Sequence, residues 1–514
     1  MKKQFLLLTL VLALLLVFSG CTTGPSQTTG TTTSGSTTGN TTATTQLPDA
    51  YTVRIVWLIL TEQPKDLLLV EDEINKIALP AINVKAELMP IPMANWMQQT
   101  NLMLSSGEKM DLSIVYNSGG LFGSHVAAGR LQPMDDLLAN YGQGIVSAIS
   151  ALSPEYLKPG MISGVTYGVT QLRDLATNMG LLCRKDIADE IGLDPTQKLT
   201  YADLEGIYQK VKAKYPNIYP QVPFNVGGST GAGFYSWDVL GDGLGALANY
   251  GLNDTKVINL YETPEYKAIC NTMYDWYKKG LILPDAATNT TNGVTLIKND
   301  KAFALVTNQK PGFANQQAGQ TGKEMYAIAL TEPYTNTYQV NNFLWTISTN
   351  CEDPVSAMKM LNLMYTDADV ANLLIWGIEG KHYVKTDVPN IIDYPAGVDS
   401  SNTGWGLNLG WEMGNQFLSY VWKGDSPDLM TELAAFNKSA RVSKAMGFVF
   451  DSTSVKAEIA ALTNVVNQYK LGLECGQSNP EETLPKFIAD LKANGIDKVI
   501  TEKQKQLDTY LANK

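Results

Sequence analysis

Few residues in this sequence have the types and spacing that metal or acid–base chemistry requires. Only two histidines, His125 and His382, could serve a zinc site or a Ser-His-Asp triad, which disfavours both. Asp238 and Asp242 are neighbouring carboxylates, but too few further oxygen ligands surround them for a calcium loop. The sequence therefore predicts no catalytic residue, no metal site and no cofactor.

One cysteine, Cys21, lies in a sequence context that predicts a chemical modification. Lys2 and Lys3 precede an apolar run over 6–18, and Ser19-Gly20 supplies small residues directly before Cys21. This order matches a secretory signal, and the run is shorter than the roughly 20 residues of a spanning helix. Residues 18–21 resemble a lipobox, whose cysteine thiol receives a diacylglycerol and becomes the new N-terminus. We predict a signal peptide over 1–20 and lipidation of Cys21; the alternative is an ordinary signal peptide with a chance cysteine.

The other cysteines are far apart and form no C-x-x-C pair, so zinc spacing is absent. Outside the cell a disulfide between two of them is possible, but we predict isolated buried thiols. The four are Cys183, Cys270, Cys351 and Cys475.

Residues 21–49 have a composition that does not fold. More than half of the residues from 22 to 45 are Thr, and most of the others are small or polar. Such a segment has too little apolar surface to form a core and is predicted to be a flexible linker. With Cys21 lipidated, the linker would tether the protein to the outer face of the cytoplasmic membrane. Linkers of this kind are typical of a Gram-positive cell surface.

Length and net charge limit the number of domains and the kinds of partner expected for the rest of the chain. From about residue 50 onward the sequence is long enough for two to four domains. The formal net charge is −11, and an acidic surface argues against nucleic acid as a partner. No second apolar run reaches membrane-spanning length.

Strand-like and helix-like patterns alternate after the linker. Residues 53–60 are almost all apolar and rich in β-branched side chains, which predicts a buried strand. Residues 65–78 have an amphipathic helical pattern, and further strands are predicted over 84–88 and 111–116. Asn95 is the predicted N-cap of the helix between them. A β-α-β-α-β order predicts a parallel sheet covered by helices.

The C-terminal part of the chain has strong helix signals. A helix is predicted over 263–279 and a strand over 302–306, and the last 65 residues are predicted to be helical. Asn479 followed by Pro480 predicts an N-cap and a proline at the first helical position. Asn494-Gly495 predicts the end of that helix.

Several stretches together resemble one family, the carbohydrate-type family 1 of extracellular solute-binding proteins of ABC importers. The resemblance is to the group with a LipO-like C-terminal region of the DUF3502 type. It spans nearly the whole mature chain. The stretches are Ser106-Gly-Glu108 before Asp111-Leu112, Leu131-Gln-Pro-Met-Asp-Asp-Leu-Leu138, Val165-Thr-Tyr-Gly-Val169, Trp376-Gly-Ile-Glu-Gly-Lys-His-Tyr383, Gly447-Phe-Val-Phe-Asp451 and Leu484-Pro-Lys-Phe-Ile488.

The resemblance implies an α/β fold of the type II periplasmic-binding-protein class. Two α/β lobes would enclose an inter-lobe ligand cleft, with a helical C-terminus. Lobe 1 is expected over 50–167 plus 286–332, and lobe 2 over 168–285 plus 333–514. The chain would cross between the lobes near 167–171 and 331–342.

The resemblance also implies a receptor without catalytic activity. It would close around an oligosaccharide or other carbohydrate and then dock on an ABC permease. In such a cleft, aromatic faces cover sugar C–H groups and polar side chains bond the hydroxyl groups. We expect the ligand-binding residues to be Trp57, Asn117, Ser118, Gln171, Arg173, Asp174, Tyr235, Trp237, Trp345, Trp376 and Trp405.

Structural explanations compete with several of these assignments. A tryptophan within a strand, such as Trp57, is as often a core residue as a ligand contact. Arg173 and Asp174 could form an ion pair on a surface loop. His382 and Glu379, in the family-like stretch, are expected to hold helix packing together and not to contact ligand.

Three other functions remain open on the sequence alone. One is a peptide-binding receptor of the same fold, which an acidic or apolar cleft would favour. Another is an extracellular enzyme acting on polysaccharide, which needs two carboxylates about 5–9.5 Å apart. No carboxylate pair stands out in the sequence. The third is a sensory protein that presents ligand to a membrane kinase.

Overall fold

The apolar run predicted as a buried strand forms β1, Tyr51–Ile59, with parallel neighbours on both sides. The protein is described here from a computed structural model, which covers residues 49–117 and 120–513. Cys21, the signal peptide and Ser118 lie outside the described residues. No helix within those two ranges is long and apolar enough to cross a membrane.

The strands of the described ranges vary from two to nine residues in length. They are β1 Tyr51–Ile59, β2 Val84–Pro92, β3 Leu112–Tyr116, β4 Met161–Ile162, β5 Val165–Thr166, β6 Val169–Thr170, β7 Asn178–Arg184, β8 Tyr219–Gln221, β9 Trp237–Asp238, β10 Leu247–Ala248, β11 Ala302–Gln309, β12 Met325–Ala329, β13 Tyr334–Thr335, β14 Phe343–Ile347, β15 Val384–Lys385, β16 Ile391–Asp393, β17 Val421–Trp422 and β18 Arg441–Val442.

The α-helices cover these strands and fill the C-terminal part of the chain. They are α1 Leu67–Ile82, α2 Met93–Ser106, α3 Leu121–Ala127, α4 Asp135–Tyr141, α5 Gln143–Ser150, α6 Lys185–Glu190, α7 Leu204–Lys214, α8 Pro264–Lys278, α9 Gly293–Lys298, α10 Phe313–Thr321, α11 Thr337–Asn341, α12 Pro354–Thr366, α13 Ala368–Trp376, α14 Leu429–Ser439, α15 Lys456–Glu474, α16 Pro480–Ala493 and α17 Ile496–Ala512.

Two main sheets carry the fold. The first has the order β2-β1-β3-β14-β6, in which β1, β2 and β3 are parallel and β14 runs antiparallel to both its neighbours. The second has the order β12-β7-β11-β8, with β7 antiparallel to β11 and β12. Each sheet has its own hydrophobic core.

The strand pairing corrects the predicted grouping of segments in two places. Strands β11 and β12, expected in lobe 1, pair with β7 in the second sheet. Strand β14, expected in lobe 2, pairs with β3 in the first sheet, and α12 and α13 pack in that core as well. An apolar strand has the same pattern in either sheet, so the sequence does not say which sheet it joins.

Three segments of chain run side by side between the two sheets. The backbone N–H of Thr177 donates to the carbonyl of Tyr334 at 3.0 Å, and Thr335 Oγ1 donates to the carbonyl of Leu175 at 2.6 Å. Strand β13 then pairs in parallel with β18. The two crossings expected from the sequence, near 167–171 and 331–342, are therefore joined by a third, which precedes the C-terminal helices.

The side chain of Asn437 connects α14 to the first crossing through hydrogen bonds. The residue is 1% exposed, and its Oδ1 accepts hydrogen bonds from the backbone N–H groups of Leu175 and Ala176 at 2.9 and 3.0 Å. Its Nδ2 donates to the carbonyl of Arg173 at 2.5 Å. One side chain at the end of α14 thus satisfies three backbone groups of the first crossing.

The second core contains a buried lysine supplied by the last helix. Lys503 is fully buried, and its Nζ lies 2.5 Å from Asp242 Oδ1 and 4.8 Å from the centre of the Phe450 ring. Burial lowers the pKa of Lys503, against the opposing effect of Asp242. Asp242, which has too few oxygen neighbours in the sequence for a calcium loop, is thus the counter-ion of a lysine.

Local signals in the sequence were confirmed at several positions. Asn479 accepts a hydrogen bond from the N–H of Glu481 and caps α16, which ends at Ala493. The N-cap at Asn95 is wrong, because α2 begins at Met93, directly after the extended residue Pro92. All four cysteines after Cys21 are buried free thiols, as predicted.

Candidate functional site

Beside the first crossing lies a group of buried polar side chains without partners. Gln171 and Glu412 are fully buried, and none of their side-chain oxygen and nitrogen atoms has a hydrogen bond within the described residues. One buried polar atom in each of three further residues is in the same condition. We call these five residues the hinge cluster: Gln171, Arg173, Asn342, Glu412 and Gln416.

Backbone bonds bring the two halves of the hinge cluster together. The N–H of Leu172 donates to the carbonyl of Gly414 at 2.8 Å, and the N–H of Gln416 donates to the carbonyl of Leu172 at 2.9 Å. Trp345 Nε1 donates to the carbonyl of Glu412 at 2.8 Å, so the strand β14 holds this segment from the other side. The segment 412–416 is thereby fixed against the first crossing.

Two cations and two carboxyl groups lie at the hinge cluster. Arg173 Nη1 lies 3.3 Å from Asp174 Oδ1, and Lys310 Nζ lies 3.0 Å from Asp174 Oδ2. Burial alone would raise the pKa of Asp174, but Lys310 and Arg173 together hold it below its usual value. Burial raises the pKa of Glu412 well above its usual value, against the nearby positive charge of Arg173.

A row of aromatic rings lies on the same chain segments as the hinge cluster. The rings of Tyr116 and Phe343 are stacked with centroids 4.8 Å apart, and Trp411 meets Phe343 edge-on at 4.9 Å. We call these three residues the aromatic row. Phe343 follows Asn342 and Trp411 precedes Glu412, so stacked rings and unpartnered polar atoms are adjacent in the chain. Tyr338, in the preceding helix α11, is 42% exposed.

The predicted ligand residues fall into two sets. Gln171, Arg173 and Asp174 lie together at the first crossing. Trp345 is fully buried in the first core and donates a hydrogen bond to the carbonyl of Glu412. Asn117 is buried beside them: its Oδ1 caps the N–H of Phe122, and its N–H donates to the carbonyl of Asn342. Whether these residues bind ligand stays a prediction.

The second set of predicted residues is engaged in packing. Trp57 and Trp405 are buried in the first core, and Trp237 is buried in the second. Tyr235 donates a hydrogen bond to the buried carboxylate of Glu474. Trp376 is half-buried, with Nε1 bonded to the carbonyl of Tyr420. These placements favour the structural explanation for this set.

His382 has the structural role that the sequence favoured for it. Its Nδ1 accepts a hydrogen bond from the N–H of Ile378 at 2.8 Å, so its Nε2 carries the proton toward Asp66 Oδ2 at 2.9 Å. Gly377 makes this possible, since its φ is +81° and a Cβ there would lie 2.4 Å from His382 Nδ1. The contact joins the family-like stretch to the start of α1.

The histidines make stability depend on pH. Burial lowers the pKa of His382, despite Asp66, and burial also lowers the pKa of His125. Below the unfolded-state pKa of about 6.5, the unfolded chain gains protons that the folded chain resists. We therefore expect the unfolding temperature to fall between about pH 7.5 and about pH 5.5.

The variant His382→Gln should show a smaller fall over the same pH range, because only His125 remains to titrate. Thermal unfolding followed by circular dichroism measures both slopes. An equal fall in the variant and the unsubstituted protein would contradict the role of His382.

Sequence reasoning missed Glu412, Gln416 and Asn342 as members of the site. The available signal was a single carboxylate between Trp411 and Met413 in a stretch rich in glycine and asparagine, where an ordinary surface charge is not expected. Among the described residues, no group of three or more His, Cys, Asp and Glu side chains could hold a metal ion.

Comparison with known proteins places this arrangement in context. The family model described as bacterial extracellular solute-binding protein matches residues 71–371, more than half of the chain. A domain of unknown function (DUF3502) matches residues 444–512, which contain the C-terminal helices α15, α16 and α17.

Two curated proteins are similar in sequence. A carbohydrate ABC transporter substrate-binding protein of Streptococcus pneumoniae serotype 4 is 26% identical over 453 residues, covering 86% of this chain and 87% of that protein. Lipoprotein LipO of Bacillus subtilis is 26% identical over 204 residues, which is 38% of each chain.

Solved structures share the fold. The N-glycan transport solute binding protein of Streptococcus pneumoniae superposes with a TM-score of 0.78 at 23% identity, over 90% of this chain and 99% of that one. An extracellular solute-binding protein of Bifidobacterium longum subsp. infantis superposes with a TM-score of 0.62 at 18% identity, over 90% and 99%. The two-lobe α/β fold expected from the sequence is confirmed, and the chain belongs to the bacterial extracellular solute-binding protein family.

Proposed function

We propose that this protein is the carbohydrate receptor of an ABC importer and that it binds an oligosaccharide at the hinge cluster and the aromatic row. The observation that carries the proposal is their adjacency on two short segments, around Asn342-Phe343 and Trp411-Glu412. Aromatic rings and convergent polar groups are what a sugar ring and its hydroxyl groups require. The pneumococcal relatives described as binding carbohydrate or N-glycan support the same ligand class.

The three crossings support closure as the mode of action. We propose that each lobe is built on one of the two main sheets and that ligand at the crossings shifts the equilibrium toward the closed state. A micromolar affinity needs only about 8 kcal/mol of binding free energy. The receptor performs no reaction in this proposal; the closed form docks on a permease.

We also propose that the mature protein begins at a lipidated Cys21 on the outer face of the cytoplasmic membrane. The signal-like residues 1–20 and the similarity to lipoprotein LipO support this. Two acyl chains suffice for stable anchoring. Mass spectrometry of the N-terminal peptide from the native membrane tests the anchor, and an unmodified N-terminus would refute it.

Calorimetric titration with neutral oligosaccharides, including Man5GlcNAc and kestose, tests the receptor function. We expect binding without turnover, together with a change in tryptophan fluorescence because Trp411 and Trp345 flank the site. Saturable binding of peptides and not of saccharides would favour a peptide receptor instead. Release of shorter glycans, detected by chromatography, would favour an enzyme.

A further inference from the structure

We infer that Tyr338 is a stacking residue for the saccharide and that its ring covers the apolar face of one sugar residue. This role rests on the proposed function, since Tyr338 would belong to the same site. The Tyr338 ring is exposed, and its short helix α11 is fixed where the crossings between the two sheets meet.

Exposed aromatic rings are rare among the described residues. Tyr141 and Tyr338 are the two aromatic side chains that are exposed there, by 38% and 42%. The ammonium group of Lys359 lies over the ring of Tyr141, 5.7 Å from its centre. Within the same ranges no ring or ammonium group lies over the ring of Tyr338. Its open face is apolar surface that a ligand can cover.

The first crossing fixes the C-terminal end of α11. Thr170 Oγ1 donates a hydrogen bond to the carbonyl of Val340 at 2.8 Å. Arg173 Nη2 donates to the carbonyl of Gln339 at 3.4 Å. The last carbonyl groups of a helix have no partner within the helix, so these two bonds supply what α11 itself lacks.

Residues shortly after β18 fix the N-terminal end of α11. Thr337 Oγ1 donates to the carbonyl of Ala445 at 3.0 Å and accepts a hydrogen bond from the N–H of Gly447 at 2.9 Å. Asn336 caps the helix by accepting from its third N–H group at 3.1 Å. A helix held at both ends presents Tyr338 in one position, and a preorganised group loses little entropy when a ligand binds.

Tyr338 continues the aromatic row on its exposed side. Phe343 lies two residues after the end of α11 and pairs with Tyr116, the last residue of β3. Burial, and then the nearby phenol of Tyr116, raise the pKa of Tyr338. Ligands of open α/β sheets bind outside the carboxyl ends of the parallel strands, and Tyr116 is the carboxyl end of β3.

The enclosed space beside Tyr116 is too small for a sugar. The cavity lined by Tyr116, Trp96, Met97, His125 and their neighbours has a volume of about 20 Å³, which holds about one water molecule. A saccharide cannot enter this cavity. The open side of the aromatic row, where Tyr338 lies, can accommodate a sugar ring.

Three variants test the contribution of the ring. Tyr338→Ala removes it, and Tyr338→Phe keeps the ring but removes the hydroxyl group. Tyr141→Ala is the matched control, because it removes the other exposed aromatic ring, in α4. Calorimetric titration with Man5GlcNAc and with kestose measures affinity, and thermal unfolding checks every variant.

We expect Tyr338→Ala to weaken binding of the saccharide about 10- to 100-fold, as truncation of an aromatic anchor does. Tyr338→Phe should keep its affinity within about threefold, because the face of the ring remains. Tyr141→Ala should change affinity by about twofold at most. All three unfolding temperatures should stay within about 2 °C of the unsubstituted protein, since both tyrosines are exposed.

A chemical footprint on the unsubstituted protein gives a second measurement that depends on no variant. Tetranitromethane nitrates accessible tyrosine rings, and mass spectrometry of the peptides compares Tyr338 with Tyr141 in the absence and presence of saturating Man5GlcNAc or kestose. The saccharide that binds should slow nitration of Tyr338 and leave that of Tyr141 unchanged.

The possible failures are distinguishable. Unchanged affinity in Tyr338→Ala, or equal nitration of Tyr338 with and without bound saccharide, would overturn the stacking role and leave the carbohydrate receptor standing. A loss in Tyr338→Phe as large as that in Tyr338→Ala would assign the contact to the hydroxyl group and also overturn stacking. Failure of the unsubstituted protein to bind any saccharide would overturn the proposed function and, with it, the role of Tyr338.

Discussion

Replacing Asp242 by Ala is expected to lower the free energy of unfolding by about 3–5 kcal/mol. Lys503 is fully buried, and Asp242 is its one carboxylate partner among the described residues. Without Asp242 the ammonium group loses its ion pair in the second core, where burial already lowers its pKa and only the more distant charge of Asp238 opposes that effect. Urea unfolding, followed by circular dichroism and tryptophan fluorescence, measures the loss.

Asp254→Ala is the matched control. Asp254 Oδ1 accepts a hydrogen bond from the N–H of Lys256, as Asp242 Oδ1 accepts one from Leu244, but Asp254 is exposed. The control therefore loses the same turn contact without leaving a buried charge, and it should change stability by about 0.5 kcal/mol at most. Equal losses in the two variants would show that the turn, and not the lysine, is what Asp242 stabilises.

Removal of the lysine should cost less than removal of the aspartate. In Lys503→Met the side chain of Asp242, which is 30% exposed, can still be hydrated, and Met keeps much of the apolar packing. A loss as large as that of Asp242→Ala would contradict the expected asymmetry.

Asn437→Ala has the second large expected effect, a loss of about 3 kcal/mol or more in the free energy of unfolding. The substitution leaves the N–H groups of Leu175 and Ala176 and the carbonyl of Arg173 without their partner. Each buried group left unbonded costs about 1–3 kcal/mol. Because these groups belong to the crossing that carries Gln171 and Arg173, saccharide affinity should fall as well.

Asn140→Ala serves as the comparison for Asn437. Asn140 is an exposed asparagine whose Nδ2 donates to the carbonyl of Asp136 within its own helix. Its replacement should change stability by about 0.5 kcal/mol at most. If Asn437→Ala were equally mild, the three bonds to the first crossing would not be important for the fold.

The sequence predicted elements well where their signals are local. The apolar run that became β1 and the capped start of α16 depend on neighbouring residues alone. Sheet membership was predicted less well, since β11 and β14 joined the opposite sheets from those expected. The choice between two sheets depends on partner strands far along the chain, and an apolar pattern does not identify those partners.

The candidate site was predicted in part for a related reason. Gln171, Arg173 and Asp174 were found because they follow a recognisable crossing. Glu412 was not, because its importance comes from burial against Leu172 and Trp345, both distant in sequence. Trp57 and Trp405 pack in the first core, which favours the structural explanation for them, and their contact with ligand stays a prediction.

The late position of residues that complete the cores bears on how the chain folds. The core of the second sheet joins strand β7 to residues of the last two helices, including Phe487 and Val499. The first core likewise includes Met446, which lies far along the chain from β1. Contacts so distant in sequence form slowly, because a long loop must close before any apolar surface is buried. Because both cores need residues from the C-terminal part of the chain, neither core is complete until nearly the whole chain is available.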